Sequence, residues 1–268
     1  MLECVINISE GRRLDVINEI RRTLGHDVLD VHSDYHHHRS VFTIVGANTP
    51  HKLAELSARA FDLNKHIGVH PRIGIIDVVP FVPLEDSTIE QAITARNEFA
   101  QYAATTLNIP SFVYGPERDL PEIRKRAFID LQPDFGSMKA HPTAGAICVG
   151  ARQILVAYNV WLKNSTIEDG RRIARELRSR EVRTLGLKLG DEIQISMNLI
   201  APDAVGPAFV FDEIAKRADI DRAELVGLAP ARVLTQIAKS RWDELDLSKE
   251  KTIEWCLAAR NRALQNLD

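Results

Sequence analysis

The sequence predicts an α+β protein built from two ferredoxin-like βαββαβ subdomains, each a mostly antiparallel sheet with helices on one face. Three observations predict it. A β-α-β-β-α-β order of elements can be read twice along the chain. The clearest hairpin signal, two alternating apolar runs around Gly190-Asp191, sits inside the second copy. With 45% hydrophobic and 26% charged residues, the 268-residue chain has the composition of a soluble globular protein and room for two modest domains or one large one.

The first copy opens with a strand over residues 2–8, broken by Gly11. A helix follows with Leu14, Ile17, Ile20 and Leu24 on one face. Strands are expected at 28–31 and 40–45, then a helix over 51–63 with Leu53, Leu56 and Ala60 aligned. The apolar block Ile75, Ile76, Val78, Val79, closed by Pro80 and Pro83, reads as a buried strand. A helix over 88–107 and a strand over 111–114 extend the copy. Residues 115–145 are richer in Pro and Gly, hold a candidate helix at 120–128, and form the kind of long connection that is usually functional or mobile. The second copy runs through a strand at 154–162, a basic amphipathic helix at 167–180 and the hairpin. In the hairpin, Leu185, Leu187 and Leu189 alternate before the turn, and Ile193, Ile195, Met197 and Leu199 after it. A helix opened by Pro207, a strand at 224–228 and a helix opened by Pro230 complete the copy, and a helical tail follows residue 241. The boundary is expected at residues 150–152, giving subdomains 1–151 and 152–268.

Composition narrows the function. A formal net charge of -3 gives no general electrostatic reason to bind nucleic acid. Cys4, Cys148 and Cys256 lie far apart, with neither metal-type spacing nor an even disulfide set, and read as reduced thiols. No basic n-region precedes a long apolar run, and the apolar stretches are interrupted by Asp77, Arg152 and Asn159. A cytoplasmic protein that binds neither nucleic acid nor membrane is the expectation.

The chemistry concentrates in residues 65–83. Two histidines, Lys65 and Arg72 precede the buried strand, where loops carry function. Gly68 and Pro71 oppose a continuous helix through the pair, so His66 and His70 read as groups presented by a turn, not as two zinc ligands on one helical face. An imidazole titrates near neutrality, and Pro71 restricts the backbone that carries His70, which suits general acid–base work. A lone histidine is, however, more often structural.

The stretch His66-x-Gly68-x-His70-Pro71-Arg72-x-Gly74-x-x-Asp77-Val78-x-Pro80-Phe81-x-Pro83 closely resembles the signature of the glutamate formimidoyltransferase family, the transferase half of formimidoyltransferase-cyclodeaminase. The resemblance spans nearly the whole chain. It includes Glu3-Cys4-Val5-x-Asn7-x-Ser9-Glu10-Gly11, Arg39-Ser40-Val41-Phe42-Thr43-x-Val45-Gly46 and Pro133-Asp134-Phe135-Gly136. It continues through Ala144-Gly145-Ala146, Ala157-Tyr158-Asn159, Gln194-x-Ser196-x-Asn198-Leu199 and Leu225-Val226-Gly227-Leu228-x-Pro230. It supports the transferase region only, without the cyclodeaminase domain.

The resemblance implies transfer of a formimino group from N-formimino-L-glutamate to N5 of tetrahydrofolate as co-substrate, in histidine breakdown, with His70 as catalyst, no metal and a homodimer. Carried over position by position, the family's folate-binding segment becomes Gly136, Ser137, Met138, Lys139, Ala140, His141, Pro142, Thr143, Ala144 and Gly145. Both substrates carry carboxylates, which guanidinium pairs with in a fork. Arg39 and Arg72, inside matched blocks, are the expected substrate-binding arginines, with His38 beside them; Arg12, Arg13 and Arg152 read as solvated surface. The chain departs from the family pattern at His32 (usually Asp), His38 (usually Asn), Val69 (often Glu), Ser137 (usually Pro) and Trp161 (usually Asn), and this leaves the donor open. Two alternatives stand beside the transferase: a metal-dependent amidohydrolase-like enzyme using the His32–His38 cluster, and a non-catalytic folate-binding protein. Against a metal, consecutive residues in extended chain point to opposite sides, so His36-His37-His38 is a poor ligand run.

Overall fold

The computed structural model describes residues 1–68, 70–84 and 86–266, so the departure at Val69 lies outside the described residues. The chain forms two compact units, Met1–Gln153 and Ile154–Asp268.

The first unit contains β1 (Leu2–Ile8), α1 (Leu14–Leu24), β2 (Val28–Asp34), β3 (Arg39–Val45), α2 (Thr49–Ala60), β4 (Ile76–Pro83), α3 (Ile89–Thr105), β5 (Ser111–Tyr114), α4 (Leu120–Arg126) and β6 (Ile147–Ala151). Its sheet has the order β2-β3-β1-β4-β6-β5. The first four strands are antiparallel neighbours in the ferredoxin-like arrangement, and β6 joins β4 and β5 through parallel ladders. β1 buries Cys4, Ile6 and Ile8, β3 buries Phe42 and Ile44, and α1, α2 and α3 cover this face with Ile17, Leu53 and Phe99. α4 packs on the opposite face, where Ile123 joins Val78, Phe112, Tyr114 and Cys148.

This sheet differs from the sequence expectation in β2, which runs on past residue 31 to Asp34, and in β4 and β6. β4 does not stop at Pro80 but continues to Pro83. The β1–β4 ladder skips Val79 and Pro80, running from Leu2 opposite Pro83 to Cys4 opposite Phe81 and resuming at Asn7 opposite Val78. A proline that has no N–H to give can sit where a ladder bond is missing. The strand β6 is absent from the sequence expectation, because Gly150 resembles a linker; in the sheet Gly150 pairs with Pro80 and Tyr114.

The second unit contains β7 (Val156–Leu162), α5 (Ile167–Leu177), β8 (Val182–Leu189), β9 (Glu192–Leu199), α6 (Pro207–Ala215), β10 (Ile220–Val226), α7 (Ala231–Thr235) and α8 (Ile253–Gln265). Its antiparallel sheet has the order β10-β7-β9-β8. Thr166 and Asp169 close a capping box at the start of α5. The two-residue turn sets Leu189 opposite Glu192, so the two apolar rows of the hairpin fall on opposite faces. Ile193, Ile195 and Met197 join the core, whereas Leu185 stays 50% exposed. Gly186, opposite Ile195, lies against α5: a Cβ there would stand 2.4 Å from the carbonyl carbon of Gly170. Gly186→Ala is therefore expected to destabilise this unit by about 1–3 kcal/mol through overpacking, read as a lowered urea midpoint. No helix among the described residues is long and apolar enough to cross a membrane.

Candidate functional site

Neighbouring strands of the first unit deliver polar side chains to the face that carries α4. Asn7 of β1 pairs with Val41 and Val78 and points to their side. Arg39 opens β3 two residues before Val41 and shares that side. Strict alternation would turn Asp77 away. The β1–β4 register shifts between Asn7, opposite Val78, and Ile8, opposite Ile76, and leaves Asp77 as an extra residue. Such a bulge re-aims a side chain.

Asp77 is fully buried and gathers four bonds. Arg39 Nη1 donates to Oδ2 at 3.0 Å, Arg124 Nη2 to Oδ2 at 2.5 Å and Nη1 to Oδ1 at 3.3 Å, and the Ile73 amide to Oδ1 at 2.9 Å. Burial alone would push Asp77 up; Arg39, then Arg124, outweigh it and hold the carboxyl below its usual range. Arg39 also donates from Nε to Asn7 Oδ1 at 3.0 Å, and its Nη1 lies 2.7 Å from His70 Nδ1. Two cations share one anion, so the cluster holds one positive charge in excess.

His70 stands against that charge. Burial first, then Arg39, push its imidazole down to about 3, so the ring is neutral at physiological pH. Its Nδ1 is 2.7 Å from Arg39 and also 2.8 Å from the Pro71 carbonyl. A guanidinium can only donate and a carbonyl can only accept, so Nδ1 serves one of them at a time. Accepting from Arg39 puts the ring proton on Nε2; donating to Pro71 leaves Nε2 with a free lone pair.

The loop around His70 is not helical: a 3₁₀ turn, Leu63–Lys65, precedes it. Arg72 clamps it from within, donating to the carbonyls of Gly68 (3.0 Å), His70 (3.2 Å) and His66 (3.2 Å). These bonds direct Arg72 at its own loop, whereas Arg39 faces His70. A second cluster pins the same loop to the β2–β3 turn. His38, with φ +51°, stacks on His66 at 4.2 Å between centroids, and its own carbonyl lies 2.8 Å from His66 Nε2. Glu10 Oε1 accepts the amides of Gly11, Arg12 and Arg13 and lies 3.2 Å from His38 Nδ1. Burial, above all, lowers His38 and His66. The neighbouring histidines diverge: His36 meets Tyr35 at 5.8 Å and His37 meets His70 at 5.9 Å between centroids. Among the described residues no group of three or more His, Cys, Asp or Glu is arranged to hold a metal ion.

Residues 136–140 form an exposed strip, in which Met138 is 66% exposed. Residues 141–145 then descend into the protein and are laced to both ends of the His70 loop. Leu63 N–H donates to the Thr143 carbonyl (2.7 Å) and Asn64 Nδ2 to that of Pro142 (2.9 Å). On the other side Ile75 N–H donates to Ala144 (2.9 Å). Gly145 has φ +75°, and a Cβ there would stand 2.2 Å from the Ile73 carbonyl oxygen, so only glycine fits. His141 Nδ1 accepts from the amides of Ala144 (3.0 Å) and Thr143 (3.3 Å), which leaves the proton of the neutral ring on Nε2. Folding thus brings two segments far apart in the sequence, 66–75 and 136–145, side by side.

Asn7, Glu10, Asp77 and Arg124 belong to the site although sequence reasoning does not single them out. The first three stand inside blocks that match the family pattern, and that is the signal that could find them. Arg124 sits in the run Arg124-Lys125-Arg126, where nothing distinguishes it from solvated charge.

Residues 1–152 match the formiminotransferase domain, N-terminal subdomain. The glutamate formimidoyltransferase of Streptococcus pyogenes serotype M1 is 34% identical, over 94% of this chain and 97% of the relative. That of Thermoplasma acidophilum is 34% identical, over 89% and 91%. The formimidoyltransferase-cyclodeaminase of Sus scrofa is 33% identical over 89% of this chain, which spans 52% of that longer protein.

Proposed function

The chain belongs to the formiminotransferase family and is a transferase enzyme; from that premise we propose that it moves the formimino group of N-formimino-L-glutamate to N5 of tetrahydrofolate, with His70 as the catalytic acid and base. The observation that carries this reading is the position of His70 Nδ1 between a donor, Arg39 at 2.7 Å, and an acceptor, the Pro71 carbonyl at 2.8 Å. Donating Nδ1–H to Pro71 frees the Nε2 lone pair to take a proton, and the imidazolium that results is the acid the next step needs. N5 attacks the amidine carbon and a new C–N bond forms as N5 gives its proton to Nε2. The bond from that carbon to the glutamate nitrogen then breaks, and Nε2 returns the proton to the departing amine. Arg39 holds a substrate carboxylate, and Arg72 and His38 keep the two loops in register. The pterin lies along residues 136–145, where the exposed backbone of 136–140 lets a flat ring approach closely. No step calls on a metal. A homodimer located in the cytoplasm completes the reading.

The experiment is turnover of N-formimino-L-glutamate with tetrahydrofolate, followed as 5-formiminotetrahydrofolate formed. Product that depends on both substrates is expected. Consumption of the donor without folate, or folate binding without turnover of this donor, would overturn the proposed reaction.

A further inference from the structure

We propose that Arg124 is a positioning residue of this site: by gripping Asp77 from α4, it over-neutralises that carboxylate and leaves Arg39 facing His70 with uncommitted positive charge. The inference rests on the proposed role of His70 and adds a residue on a different element.

The geometry supports it. Arg124 meets both oxygens of Asp77 in a fork, Nη2 to Oδ2 and Nη1 to Oδ1. Arg39 touches Asp77 only through Nη1, the same nitrogen that lies at His70 Nδ1. Its Nη2 makes no hydrogen bond to the described residues. With Arg124 absent, Asp77 and Arg39 would form a closed pair of no net charge, and Asp77 would offset more of the repulsion that Arg39 exerts on the His70 proton. With Arg124 present, the balance beside the imidazole is positive. A neutral His70 and an Arg39 that still seeks an anion both follow, and a carboxylate on the incoming donor is the anion that fits. Docking of that carboxylate cancels the excess charge and raises the basicity of His70 at the moment the proton must move. The charged and titratable groups facing His70 are Arg39 from β3, Asp77 from β4, Arg124 from α4, His37 from the β2–β3 turn and Arg72 from its own loop. Of these, Arg124 makes its hydrogen bonds to Asp77 and acts on the ring by its charge, without touching it.

The test is a titration of the His70 ring by ¹⁵N NMR in the full chain, with the signal assigned by its loss in His70→Ala. In the wild type the ring is expected to titrate at about 3. In Arg124→Gln, shown to be folded by its amide spectrum, the pKa is expected to rise by about one unit or more. Adding L-glutamate to the wild type is expected to shift it the same way. An unchanged His70 titration in folded Arg124→Gln overturns the inference. Arg124→Lys keeps a cation without the fork, and is expected to keep the low pKa while kcat falls more than KM changes. A His70 that titrates at about 6.5 in this variant equally overturns the inference. Full turnover in His70→Ala would instead remove the catalytic reading and leave the titration result standing, so the two failures are distinguishable.

Discussion

His70→Ala is expected to lower kcat by about 10²–10⁴-fold while KM for either substrate changes little. The expected size is that of a lost general acid–base group. A methyl side chain can neither take the proton from N5 nor return one to the glutamate nitrogen. Binding should survive, because the proposed substrate contacts lie elsewhere, on Arg39 and on residues 136–145. The fold should survive too. The imidazole is held beside a positive cluster in a form that burial and Arg39 keep neutral. Removing it leaves Asp77 still paired with Arg39 and Arg124. Steady-state kinetics with a separate measurement of folate affinity decide the matter. An unaltered kcat, or a loss confined to KM, would move the chemistry to another residue.

Asp77→Ala is expected to cost about 3–5 kcal/mol of folding stability, a larger structural effect than that of His70→Ala or Gly186→Ala. Asp77 is wholly buried, and the Arg39 and Arg124 side chains are 13% and 17% exposed. Alanine would leave two guanidinium groups facing each other with no anion between them, and would strip the Ile73 amide of its acceptor. The loop that carries His70 would lose its anchor at the same stroke, so residual activity should be low even where the protein is folded. Urea unfolding checks the first effect. Asp77→Asn separates the two: it keeps the acceptor for the Ile73 amide but not the charge, so it should retain part of the loop geometry and little of the electrostatic stability. Equal stability of Asp77→Ala and wild type would mean that Arg39 and Arg124 find water or other partners without cost.

The layout of the two βαββαβ units is legible in the sequence because short apolar runs alternate with amphipathic helical spacing in both halves. The hairpin at Gly190-Asp191 is legible as a turn but not in its facing, because a two-residue connection fixes which rows of side chains share a face, and both strands read as apolar on alternate positions. The polar site is legible in part. His70 stands out because imidazole, glycine and proline occur together before a strand. Asp77 does not, because its direction is set by a one-residue shift in ladder register that no side-chain pattern announces. Arg124 does not, because its function as a partner depends on α4 lying on the second face of the sheet, and a short helix with one buried apolar residue, Ile123, gives no hint of which face it will cover. His32 and His38, both departures from the family pattern, end in different settings. His32, on β2, pairs with Val41 of β3, and His38 is enclosed between Glu10 and His66.

The strand β6 lies between β4 and β5, and this has a consequence for how the first unit is made. On the ribosome β4 (Ile76–Pro83) and β5 (Ser111–Tyr114) emerge well before Ile147–Ala151, and they are not ladder partners of each other. Until the last of these strands leaves the exit tunnel, β4 presents a bare, apolar edge and β5 has no strand beside it, only the isolated bridge from Ser111 to Phe135. The nascent chain therefore completes its sheet by insertion, not by addition at a margin, and its final pairing step spans a long stretch of sequence, the slow kind of contact. A truncation that stops after the first βαββαβ order would look whole as a diagram of elements and would still carry the open edge that invites association between chains.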